Sequence, residues 1–78
     1  MGQVSNEQLL EAINLTELER DAYVKLCDGF LTLSGLPENI ESGKSRVYTV
    51  QHYKYSGLVT MCSTFLDQLL AIKKERGL

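Results

Sequence analysis

The run Ser34-Gly35-Leu36-Pro37 constrains the fold more than any other part of this chain. A glycine there can take the left-handed conformation that closes a helix, Leu36 can fold back toward Leu31, and a proline just beyond cannot continue the helix. A helix that reaches this run is thereby expected to end near residue 34. Upstream, Ser5-Asn6-Glu7-Gln8 has the form of a capping box and predicts a short N-terminal helix over about 5–14, with Leu9, Leu10 and Ile13 on its apolar side. Thr16-Glu17-Leu18-Glu19 has the same form and predicts a longer helix over about 16–34. Its apolar residues Leu18, Ala22, Leu26, Phe30 and Leu33 recur at helical spacing, flanked by Tyr23, Cys27 and Leu31.

Downstream, residues 35–45 are turn-rich and polar and read as a loop. Residues 46–55 change character. Val47, Tyr48, Thr49, Val50, Tyr53 and Tyr55 have strand composition, so a β-strand or hairpin is expected over about 46–55. Ser56-Gly57 then predicts the start of a C-terminal helix over about 57–76, with Leu58, Met61, Cys62, Phe65, Leu69 and Ile72 on one face. The expected fold class is α+β: two main antiparallel helices flank a short β-strand or hairpin, and a short N-terminal helix packs alongside. The expected core comprises Leu18, Ala22, Leu26, Phe30, Leu33, Val47, Val50, Leu58, Met61, Phe65, Leu69 and Ile72.

With 78 residues the chain forms one domain, 1–78, whose core is small, and such domains often complete themselves through a partner. Hydrophobic residues at 44% and charged ones at 23% place it among globular chains, and no stretch is apolar and long enough to cross a bilayer. The net charge of -2 hides an asymmetry. Residues 1–42 carry eight acids against two bases, whereas residues 43–78 carry six bases against two acids. On separate faces the two signs would steer association between copies; within helices they complement the helix dipole.

Cys27 and Cys62 lie far apart without CxxC spacing, which points to buried thiols in a reducing cytoplasm and to no metal or redox centre. No secretion signal is expected at the N-terminus, so the acceptor sequence Asn14-Leu15-Thr16 has no reason to be glycosylated, and Gly2 lacks the Ser or Thr of a myristoylation start. Ser42-Gly43-Lys44-Ser45 resembles the end of a phosphate-binding loop. Glu38, however, stands where the first glycine belongs, and the loop precedes the β segment instead of following it. His52 is the single imidazole and has no nucleophile at motif spacing. No catalytic, cofactor-binding or metal-ligating residue emerges, and an enzyme is not expected. Lys44, Arg46, Tyr48, Tyr53, Lys54 and Tyr55 interleave cations with aromatics as single-strand binders do, but the sequence pI near 5.2 lacks the basic footprint of a nucleic-acid protein.

The segment Val47-Tyr48-Thr49-Val50, a polar stretch, Tyr55-Ser56 and a final amphipathic helix together resemble small phage head-tail joining proteins of the gpW-like kind, best over residues 46–75. The resemblance departs at Gln51-His52, which stand where a glycine-containing turn is expected, and in a longer preceding loop. It implies a non-enzymatic building block, assembled as a ring between a portal and a tail in the host cytoplasm or the virion. The expected function is therefore structural assembly through protein-protein contacts, by self-association or with portal and tail proteins. A small regulatory module is the alternative: a dimeric adaptor, an inhibitor or a weak nucleic-acid binder. The expected contact surface comprises Asn39, Lys44, Arg46, Tyr48, His52, Tyr53, Lys54 and Tyr55.

Overall fold

A computed structural model describes residues 4–78; the Gly2 start lies outside them. Among the described residues three helices follow in order: α1 (Asn6–Ser34), α2 (Pro37–Ser42) and α3 (Lys44–Glu75). No strand occurs among the described residues, so the expected α+β class gives way to an all-helical hairpin with a short helical elbow.

The capping box at Ser5 forms as expected: the Ser5 hydroxyl accepts from the Gln8 amide and the Gln8 side chain accepts from the Ser5 amide, each at 3.1 Å. The second box does not form. Thr16 lies inside a continuous helix, and its hydroxyl donates to Ala12 O at 2.7 Å, the back-bond by which threonine is accommodated mid-helix. The two expected N-terminal helices are thus one helix of 29 residues. The break at 34–37 stands where the sequence places it, but Gly35 closes α1 in the right-handed region at φ -88° and not in the expected left-handed one, and the expected loop holds α2, with Pro37 at its first turn and Gly43 left-handed at φ 79° as its end.

The expected β segment is the first third of α3, which begins at Lys44 and not at 57. Strand propensity is a weak preference that tertiary packing overrides, and here the aromatic residues of 46–55 pack on α1. Tyr48 stacks on Phe30 with centroids 6.0 Å apart, and Tyr55 lies between Phe30 at 5.7 Å and Tyr23 at 5.8 Å.

Antiparallel pairing is tied along its whole length. Ser45 donates to Ser34 O at 2.7 Å near the elbow, Cys27 meets His52, Cys62 meets Glu19, and Arg76 donates to Val4 O at 2.6 Å and to Asn6 Oδ1 at 3.1 Å at the open end. Inward residues recur at alternating steps of four and three: Leu9, Ile13, Thr16, Arg20, Tyr23, Cys27, Phe30 and Ser34 on α1, and Ser45, Tyr48, His52, Tyr55, Val59, Cys62, Leu66, Leu69 and Lys73 on α3. That is the repeat of helices wound side by side. The buried core is short, comprising Leu9, Ile13, Cys62, Leu66 and Leu69, and lies toward the open end. Of the expected core residues only Leu69 is buried; Phe30 and Leu58 are half-buried and the other nine are exposed.

Candidate interaction face

One residue before the seam positions from Thr16 to Ser34 on α1 and from Tyr55 to Lys73 on α3, both helices carry a second line with the same repeat. On α1 it runs Leu15, Glu19, Ala22, Leu26, Gly29 and Leu33; on α3 it runs Lys54, Leu58, Met61, Phe65, Gln68 and Ile72. The two lines flank the seam on the same side, because Thr16 and Glu19 of α1 line one open hollow of about 280 Å³ together with Leu58, Met61, Cys62 and Phe65 of α3. A smaller hollow of about 160 Å³ lies toward the elbow, lined by Lys25, Leu26, Gly29, Phe30 and Leu33. Leu15 is 56% exposed, Met61 68% and Phe65 51%. Leu18 borders the α1 line and is exposed as well.

Glu19 is the charged group at the centre of this face. It accepts the Cys62 thiol proton at 3.6 Å, and its negative charge lifts the Tyr23 hydroxyl above its ordinary pKa, with burial adding to the effect. Burial lifts the Cys62 thiol also, helped by the bond to Glu19, so sulfur stays protonated at neutral pH.

The expected contact residues separate into two sets. Tyr48, His52 and Tyr55 are half-buried in the seam, where they hold the hairpin together. Asn39 is spent on the elbow, its amide donating to Leu33 O at 2.7 Å. Lys44, Arg46, Tyr53 and Lys54 are exposed, with Lys54 Nζ 5.6 Å from the Tyr55 ring centroid. Two of the three tyrosines in the cation-aromatic set therefore have ring faces covered by α1, which leaves Tyr53 as the outward one.

His52 gains a neighbour that spacing did not reveal. Its Nδ1 lies 3.3 Å from Cys27 Sγ and 2.9 Å from Cys27 O. A carbonyl can only accept, so Nδ1 carries its hydrogen and has no lone pair to take a proton from the thiol. The thiol instead points to His52 O at 3.6 Å. This pair clasps two helices. Among the described residues no group of three His, Cys, Asp or Glu side chains gathers to hold a metal ion, and no helix is long and apolar enough to cross a membrane.

The charge asymmetry lies across the hairpin, not along it. α1 carries six acids against two bases and α3 carries five bases against two acids, so an acidic helix runs beside a basic one. Compared with protein-family models, characterised protein sequences and solved structures, the chain matches none.

Proposed function

We propose that the protein is a non-enzymatic interaction module that works by completing its core against another polypeptide. The second apolar line, exposed on both helices beside the seam, carries this reading. A helix that packs on one neighbour needs one apolar stripe, and a helix with two adjoining stripes is built for a bundle with more members. Large exposed apolar patches on small soluble domains mark such contacts.

Structural assembly in a phage is the use implied by the resemblance over residues 46–75, whose strand is helical here. A small regulatory adaptor is the other use, and stoichiometry separates the two: closed dimers suit an adaptor, and rings or filaments suit assembly.

The test is to compare the complex recovered from cells with tagged wild-type chain and with the double variant Met61→Gln/Phe65→Gln. The wild type should run above its 8.8 kDa and the variant at monomer size, with helical circular dichroism retained. A variant that stays in the same complex would remove this face from the function.

A further inference from the structure

We infer that a second copy of this chain covers the apolar face, closing a four-helix bundle in which α1 of each copy packs across α3 of the other. The inference rests on the interaction-module reading above and names its partner.

Surface area is the first ground. The chain exposes 5834 Å², whereas a compact monomer of 8.8 kDa exposes about 4,800 Å² by the usual size scaling. The surplus of about 1,000 Å² is close to the roughly 800 Å² that each partner contributes to a standard interface. Shape agrees: the radius of gyration is 17.4 Å against about 11.5 Å for a compact domain of this length. Two hairpins of 56 × 18 × 16 Å laid face to face approach an even cross-section.

Repeat and length are the second ground. The free face has the four-and-three repeat of a helical seam on both helices, and it meets best a partner with the same repeat over the same length. A second copy supplies both.

Charge selects the arrangement. A two-fold axis along the hairpin sets acidic α1 over basic α3 on both sides and makes every neighbouring pair of helices antiparallel. Near the open end, Glu7 and Glu11 then lie at the level of the partner copy's basic α3 terminus. An axis across the hairpin would instead stack the acidic helix on itself, which like charges disfavour.

Sedimentation equilibrium of the purified full chain, together with electron-spin distance measurement, tests this. A nitroxide-bearing residue replaces Ser42, beside the elbow. The expected results are a species of twice the chain mass and a label separation set by the 16–18 Å cross-section. Met61→Gln/Phe65→Gln should weaken dimerisation by at least roughly 100-fold through the lost burial of two side chains in each copy. A label separation near the 56 Å length would overturn the arrangement. So would a dimer indifferent to the double substitution. A monomer at every concentration, or larger rings, would overturn the second-copy partner. The complex recovered from cells would still decide the interaction-module reading separately, because a foreign partner raises the mass there and not in the purified chain.

Discussion

Nδ1 of His52 and the carbonyl oxygen of Cys27 lie 2.9 Å apart across the two long helices, with Sγ of Cys27 3.3 Å from the same nitrogen. The contact joins residues 25 positions apart and fixes the register of the hairpin near its elbow, where buried apolar side chains are absent. His52→Ala should therefore destabilise the fold by about 1 kcal/mol, the usual net worth of one such hydrogen bond. Urea unfolding followed by circular dichroism measures it. A variant as stable as wild type would show that the clasp contributes nothing.

Tyr55 and Tyr53 make a sharper contrast. Tyr55 lies between Tyr23 and Phe30, whereas Tyr53 is 69% exposed. Tyr55→Ala should cost about 3 kcal/mol, near the lower end for losing a packed aromatic, and Tyr53→Ala less than about 0.5 kcal/mol in the isolated protein. An alternating strand would present 53 and 55 to the same face and give them similar costs. Equal losses in the same urea titration would therefore count against the helix.

Gly57 sits in the interior of α3, and a Cβ added there meets nothing within 4 Å. Gly57→Ala should stabilise the protein by about 1 kcal/mol, since alanine loses less backbone entropy than glycine in a helix. Thermal unfolding reads this as a higher midpoint. A lower midpoint would mean that position 57 is not helical.

Cys62 is the more protected thiol. Its pKa is raised by burial and by the Glu19 bond, so the folded state favours the protonated form. That contribution to stability is full below the ordinary thiol range and is lost as pH rises through the raised value. Alkylation should modify the half-buried Cys27 first, and Cys62 should catch up only as pH climbs past the ordinary thiol range. Peptide mass mapping across pH 7 to about 10 shows the order. Equal rates at neutral pH would contradict the placement of Cys62.

The join of the two expected N-terminal helices through 14–16 escaped residue-type reasoning, while the stop at Ser34–Pro37 and the Ser5 box were legible from it, because proline and capping side chains act locally. The inward face was not. The strongest apolar line on α1, Leu18, Ala22, Leu26 and Leu33, lies outside, while the seam includes Thr16, Arg20, Cys27 and Ser34. Hydrophobicity alone does not say which of two adjoining apolar lines the hairpin itself covers, so an exposed line reads as core. Residues 46–55 failed for a related reason: tyrosine and valine favour strands in isolation, and only the α1 aromatics opposite show why they stay helical. The Cys27–His52 clasp needed the hairpin register, which no local spacing carries.

The concentration dependence of thermal unfolding tests most directly whether this chain needs another copy of itself to finish its core. The unfolding midpoint of the purified protein, followed by helical circular dichroism, should rise steadily as protein concentration increases over two or more decades, as linkage to a dimer requires. A high, sharp midpoint that stays fixed across that range would mean that the single hairpin is sufficient, and would contradict the account.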